Sequence, residues 1–383
     1  MPVSNTPNIC PAILTSLTDN MINNSSNVRI HGGTLAALHD PSNLRHGQII
    51  QSANNDGTGH SKEVRVVYKQ RLVANDVVTS KSCTSGDEIP YFEEVVTVDN
   101  YAGISFQMSE NTVREFCASY TELERLAGTN DPKQIIMRTN GIGAATGAIS
   151  VAREIFNDFQ LAANALVQKM NTILLGSIES GAGNWVGGAA TQPFQVQNTS
   201  DGSINAGGIF KFKQQYDITG FMGAPIIIGG AGPLHQVWMN DSRYFGQAAN
   251  GINFGTVRDN TGIAQFYYDE NGTSVLGAAN AAAVFAPGSA VYTPFLQYEQ
   301  NFGRIANMDR FTMAIPGLPQ VKCDVRIQQV ACPTEYYEIW MECYYDVYTP
   351  PTTLFNEGSG DPVVGADNLA GVNGVFLSTF TAG

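Results

Sequence analysis

Residues 320–349 read QVKCDVRIQQVACPTEYYEIWMECYYDVYT, two runs of alternating character around a tight CPTE turn. In the first run Val321, Cys323, Val325 and Ile327 point one way, and Lys322, Asp324, Arg326 and Gln328 the other. In the second, Tyr337, Ile339, Met341, Cys343, Tyr345 and Val347 oppose Glu338, Trp340, Glu342 and Asp346. A period of two is strand patterning, so this segment is a β-hairpin with one apolar face. A one-residue slip would turn that face outward, and like charges directly opposite cost up to about 1 kcal/mol. Charge matching therefore predicts the register in which Lys322 faces Asp346 and Arg326 faces Glu342.

Upstream, GAISVAREIFNDFQLAANALVQKMNTILLGS (147–177) carries Ile149, Ala152, Ile155, Phe156, Phe159, Ala163, Leu166, Met170, Ile173 and Leu174 on one helical stripe. It predicts a helix of about 45 Å ending at Gly176, with Arg153, Asp158, Gln160, Asn164 and Gln168 left for solvent or neighbours. A shorter helix is expected from Ser109, with Ser109 and Thr112 as caps, Val113, Phe116, Tyr120 and Leu123 on one face, and Gly128 as its stop.

EVRVVYKQRLV and PYFEEVVTVDNYAGISF read as two strands of a long hairpin with a wide tip. An isolated two-stranded ribbon is marginal in water, and no neighbouring segment offers a third strand. Residues 1–60, rich in Pro, Gly and Asn, read as an extended arm unable to bury itself. Arm and ribbon are therefore expected to borrow cover from sister copies. Residues 181–315 interleave Gly- and Ala-rich punctuation with short strands such as APIIIGG and AQFYYD, and PLHQVWMNDSRYF reads as a short helix. The tail after Pro350 is Gly-, Asp- and Thr-rich and ends in an apolar patch, VFLSTF.

Composition limits the chemistry. The 383 residues carry a net charge of −13, and charged residues are only 14%, against about 25% in an average soluble chain. No segment is basic: residues 311–383 carry 2 positive and 8 negative side chains. A chain that grips phosphates needs a Lys/Arg stripe, so sequence-directed nucleic-acid binding is not expected. No apolar run is long enough to span a bilayer. The start has no basic residue before its short apolar patch, so synthesis in the cytosol without a secretory signal is expected. Cys10, Cys83, Cys117, Cys323, Cys332 and Cys343 are scattered and are expected as buried reduced thiols. The histidines show no zinc spacing. Glu93 and Glu94 fall on opposite strand faces, so they do not form a two-carboxylate catalytic pair. No cofactor is expected. GIGAATG, with Gly141, Gly143 and Gly147, lacks the Lys-Ser/Thr of a phosphate loop and reads as a hinge before the long helix.

The order of arm, ribbon, long helix, glycine-rich body and closing hairpin, with IPGLPQVKCDVRIQQVAC followed by EIWMECYYDVYTPP, resembles the major capsid proteins of tailed bacteriophages, the Hong Kong 97-like fold. The resemblance implies an α+β chain with an N-terminal arm (1–60), an extended hairpin loop (61–106), a peripheral domain with a spine helix (107–180 and 316–349), an axial domain (181–315) and a C-terminal tail (350–383). It implies a non-enzymatic subunit that self-assembles into pentamers and hexamers of an icosahedral shell around double-stranded DNA. Its partners would be further copies of itself, a portal and, if needed, a separate scaffolding protein. No membrane is involved, and assembly would take place in the host cytoplasm. On that reading Lys69, Arg71, Lys81, Asp87 and Glu88 of the ribbon, with Arg153 and Asp158 of the helix, are the expected subunit contacts. Two alternatives stand beside it: a nucleotide-binding α/β enzyme using GIGAATG, and a surface-layer or adhesin-like β-rich protein.

Overall fold

A computed structural model describes residues 33–46, 49–52, 63–69, 91–115, 118, 125, 128, 143–200, 205–221, 223–232, 265–296, 308–315, 318–330, 336–352 and 371–382. In chain order the elements are α1 (Gly33–Leu38), α2 (Pro41–His46), β1 (Ile49–Ser52), β2 (Glu63–Lys69), β3 (Tyr91–Thr97), β4 (Asn100–Ser109) and the long helix α3 (Gly143–Ser180). Then follow β5 (Thr191–Gln197), α4 (Ala206–Ile218), β6 (Ile226–Gly229), β7 (Gln265–Tyr268), α5 (Gly272–Val275), β8 (Ala281–Phe285) and β9 (Val291–Phe295). The last strands are β10 (Met308–Ile315), β11 (Leu318–Val330), β12 (Tyr336–Tyr348) and β13 (Val375–Ala382). The described residues form a mixed α+β chain with three sheets.

The chain divides into two compact units, one of residues 1–31, 101–169 and 294–344 and the other of 32–100, 170–293 and 345–383. In the first, β10, β11, β12 and β4 lie side by side, with β9 also paired to β12. Val321, Cys323, Val325, Ile327, Tyr337, Ile339, Met341 and Cys343 of the expected apolar face are all buried, and so are Asp324 and Glu342 of the opposite face. Phe159 of α3 meets Phe106 of β4 edge-on at 5.0 Å between ring centroids, a favoured aromatic geometry.

In the second unit the sheet order is β5-β13-β8-β6-β7. Its core is aromatic: Trp185, Phe194, Phe212, Tyr216, Phe376 and Phe380 cluster with Val196, Ile227 and Val284. Trp185 stacks on Phe376 at 4.5 Å, and its indole N–H donates to the Leu377 carbonyl at 2.7 Å, so the one polar atom of the largest core residue is satisfied. Asn205 caps α4, its side chain accepting from the Gly208 amide at 3.4 Å. That helix approaches β5 so closely that a Cβ on Gly208 would stand 1.7 Å from the Gln195 carbonyl oxygen.

Several expectations are corrected. The hairpin register is not the charge-matched one: Asp324 faces Glu342 and Arg326 faces Trp340. The apolar face is the same in both registers, so it does not choose between them, and the aromatic and diagonal partners of Arg326 do. The guanidinium lies over the Trp340 ring at 4.3 Å and reaches Glu342 diagonally at 3.2 Å, combining a cation–π contact with an ion pair. Asp324 accepts from the Thr312 hydroxyl of β10 at 2.8 Å. The observed register does not bring Lys322 opposite Asp346; burial pushes the Asp346 carboxyl above the usual range, opposed by hydrogen bonds from the Val347 amide and the Asn100 side chain.

Helix α3 has 38 residues, about 57 Å, and passes through Gly176 to end before Gly181. Gly176 lacks only a side chain and keeps its helical hydrogen bonds, at a propensity cost of about 1 kcal/mol. A Cβ at Gly181 would meet the Thr349 hydroxyl, so the close packing of the chain after β12 marks the stop. Gln160, expected on the free face, is buried, whereas Leu161 is 54% exposed.

The second strand-like run is two strands: β3 stays in the ribbon while β4 joins β12. The ribbon has a third strand, because β1 pairs antiparallel with β2. The terminal patch VFLSTF is an interior strand, with β13 parallel to β5 and antiparallel to β8. Ser109 does cap its helix, accepting from the Thr112 amide at 3.1 Å, and Gly128 has φ +64°. The expected short helix in PLHQVWMNDSRYF lies outside the described residues.

Candidate functional site

Three places in the second unit bind chain segments distant in sequence. The first holds the arm. Gly33 has φ +42°, and a Cβ there would stand 2.6 Å from the Asp269 carboxylate, so only glycine lets the chain enter α1 this close. Asp269 Oδ2 accepts from the Thr34 amide at 2.9 Å and from its hydroxyl at 2.7 Å. The Leu35 amide donates to Asn171 Oδ1 of α3 at 2.9 Å. These bonds occupy amides at the start of α1 that have no partner within the helix.

Further along the arm, Asn43 donates to the carbonyls of Leu38 and Ala290, both at 2.9 Å, and accepts from the Gly288 amide at 2.7 Å. The Tyr267 hydroxyl donates to Asp40 at 2.7 Å. The His39 ring meets that of Tyr292 at 4.9 Å between centroids, tilted by 57°, with Nδ1 2.8 Å from the Leu35 carbonyl. Burial pulls its pKa below the ordinary imidazole value, and the hydrogen bond to Leu35 opposes the shift only in part. Leu35, Ala37 and Leu38 are buried. The described arm thus finds cover on its own chain, which corrects the expectation that only sister copies supply it.

The second place is the foot of the ribbon. Val66 packs with Val291, Tyr348 and Val96, and the Tyr348 hydroxyl donates to Glu94 at 3.0 Å. The base of β2 and β3 is likewise sheltered within the chain; residues 70–90, where the tip falls, lie outside the described residues.

The third is a joint at Asn373. Its amide nitrogen donates to the carbonyls of Gly181 and Pro350, both at 2.8 Å. Its oxygen accepts from the Gly183 and Val375 amides, both at 3.1 Å. All four hydrogen-bonding positions of the side chain are filled, tying the end of α3, the end of β12 and the start of β13 together.

Of the expected contact residues, Lys69 closes β2 and Arg153 lies in α3, each with its side chain outside the described set. Asp158 is half-buried on α3. Arg71, Lys81, Asp87 and Glu88 lie outside the described residues, as do Gly141 and Ile142 of GIGAATG; residues 143–147 form the first turns of α3, so most of the segment expected as a hinge is helix. Asn171, Asp269 and Asn373 were missed in the sequence. The usable signals were Asn373-Gly374 and the Asp269-Glu-Asn-Gly turn, both of turn chemistry. Among the described residues no group of three or more His, Cys, Asp or Glu side chains is placed to hold a metal, and no helix is long and apolar enough to cross a membrane.

No family model and no curated protein matches the sequence. Solved capsid structures are similar to it. The cyanophage A-1(L) capsid asymmetric unit is 10% identical with a TM-score of 0.46, covering 93% of this chain and 94% of that one. The Staphylococcus phage Andhra capsid is 9% identical with a TM-score of 0.36, over 84% and 81% of the two chains. The asymmetric unit of the mature bacteriophage PhiM1 capsid is 13% identical with a TM-score of 0.33, over 84% and 82%.

Proposed function

We propose that the chain is the major capsid protein of a tailed bacteriophage, with a Hong Kong 97-like fold and a structural rather than catalytic role. The observation that carries this reading is the serial order of elements. An arm with its own docking helices comes first, then a ribbon, a 38-residue helix, an aromatic-cored sheet and a long hairpin, β11–β12. On this reading the ribbon is the extended loop, the unit with β10, β11, β12 and β4 is the peripheral domain with α3 as its spine, and the aromatic-cored unit is axial.

Copies assemble into pentamers and hexamers of an icosahedral shell, in the host cytoplasm, with a portal and, where needed, a separate scaffolding protein. The charge of −13 suits a wall that encloses double-stranded DNA without adhering to it. Ribbon residues Lys69, Arg71, Lys81, Asp87 and Glu88, with Arg153 and Asp158 of α3, serve as contacts between copies. Light scattering and negative-stain microscopy of the expressed protein should find closed megadalton particles. A homogeneous 41.1 kDa species at high concentration overturns the proposal.

A further inference from the structure

We propose that Cys323 and Cys343 form a latent cross-strand disulfide, a reversible covalent staple between β11 and β12. The pairing register runs from Asp324 opposite Glu342 to Val330 opposite Tyr336. One step further in the same register places Cys323 directly opposite Cys343. Both side chains lie on the buried face among Val321, Val325 and Met341, at 0% and 2% exposure. Met313 of β10 is opposite Cys323 on its other side. Both cysteines are reduced in this structure, and the Cys343 thiol shares a hydrogen bond with that of Cys323. It also donates to the Lys322 carbonyl at 3.8 Å.

Directly opposed residues hold their Cβ atoms about 4.5–5.5 Å apart, whereas a disulfide needs about 3.5–4.5 Å. The closure required is within reach of a twisted strand pair. The same surroundings keep the pair reduced. The bond to Cys323, burial, and the neighbouring carboxylates of Asp324 and Glu342 push the Cys343 thiol well above its ordinary pKa. Exchange needs a thiolate with access to its target, so a closed sheet reacts slowly and an opened one reacts fast.

The oxidant is a low-molecular-weight disulfide. A thiolate on one cysteine attacks it, forming a mixed disulfide and releasing one small thiol; the second cysteine loses its proton and displaces the other. Two protein S–H bonds and one external S–S bond become one protein S–S bond and two external thiols. The protein gives up two electrons and two protons, and the small disulfide receives both.

This inference does not depend on the capsid reading. The full chain is refolded from denaturant, and separately incubated in its native state, with excess oxidised glutathione, and then digested without reduction. Trypsin cuts after Lys322 and Arg326, and a glutamate-specific protease after Glu335, Glu338 and Glu342, which separates Cys332 from Cys343. The expected product joins the Cys323 and Cys343 peptides with loss of two hydrogens and disappears on reduction. In the native sample it should form faster as urea rises below the unfolding transition. Cys343→Ser should lose the linked product and leave one glutathione on Cys323. A refolded chain without the 323–343 link overturns the proposal, as do unjoined glutathione adducts at both positions or a link from either to Cys332. If the serine variant fails to fold, the wild-type peptide map decides alone.

Discussion

The two five-stranded sheets hold their strands in place by different means. In β5-β13-β8-β6-β7 the strands Ile226–Gly229 and Ala281–Phe285 are apolar almost throughout, so no charge pairing selects their register. Position comes from aromatic packing around Trp185 and from backbone joints at Gly208 and Asn373. In β10-β11-β12-β4 one face is apolar, while the other carries charge in rows. Arg310 stands opposite Arg326, and Asp324 opposite Glu342. Rows of one sign lie next to rows of the other, so attraction runs diagonally between rows, and like charges opposite one another are tolerated. An apolar sheet is thus placed by shape, and a half-charged sheet by the diagonal neighbours of its ions.

The sharpest way to break the shape-placed sheet is Gly208→Ala. With the Gln195 carbonyl 1.7 Å from the added carbon, α4 must move off β5, and a loss of about 3 kcal/mol or more is expected. A lower urea midpoint with disordered Trp185 fluorescence would register it. Asn373→Asp tests the joint rather than the packing. It replaces two donors by an acceptor facing the Gly181 and Pro350 carbonyls, with an expected loss of about 2–3 kcal/mol; an unchanged urea midpoint would remove Asn373 from the account.

For the charge-placed sheet the test is Arg326→Ala, which leaves Asp324 and Glu342 facing each other without their cation. About 1–2 kcal/mol should be lost, because the arginine is partly exposed. Adding Glu342→Gln should restore part of it. If the double variant is as unstable as the single, the diagonal ion pair does not set the register.

The smallest effect concerns the arm. His39 is half-buried, and desolvation lowers its pKa, so the unfolded chain binds a proton more readily than the folded one. Its contribution is fully present above the ordinary imidazole value of about 6.5 and is lost as pH falls from there toward the depressed folded value. Protection from hydrogen exchange at residues 33–46, taken relative to the intrinsic rate at each pH, should therefore fall between pH 7 and 5.5 by less than Asp269→Ala lowers it, and His39→Gln should flatten that pH dependence. A pH-independent protection factor in the native chain would rule out titration of His39 as a determinant of docking.

Local patterning was enough to reveal the hairpin, the long helix, the Ser109 cap and the glycine at 128, because each is a property of neighbours within a few residues. The face of β11–β12 that is buried follows from alternation alone. The register does not, because a shift of two residues preserves that alternation; Trp340, which alternation places on the polar face with Glu338 and Glu342, is the partner of a cation. The arm looked unable to bury itself because its partners, Asn171, Asp269 and Ala290, are more than a hundred residues away. The stop of α3 was misplaced for the same kind of reason. Gly176 is tolerated inside the helix, and the real boundary is set by Thr349 and Asn373.

By itself, then, the order of residues determined that the long helix is a helix and that β2, β11 and β12 are strands, which face of the hairpin is apolar, and that no part of the chain is basic. The fold alone decided which strands are neighbours: that β1 completes the ribbon, that β4 leaves it, that VFLSTF runs through the middle of a sheet, and that two unremarkable cysteines meet across β11 and β12. Periodicity is written along the chain, where adjacent side chains are related by fixed backbone geometry. Neighbourhood across the chain depends on competing contacts of similar energy, and only the folded arrangement selects among them.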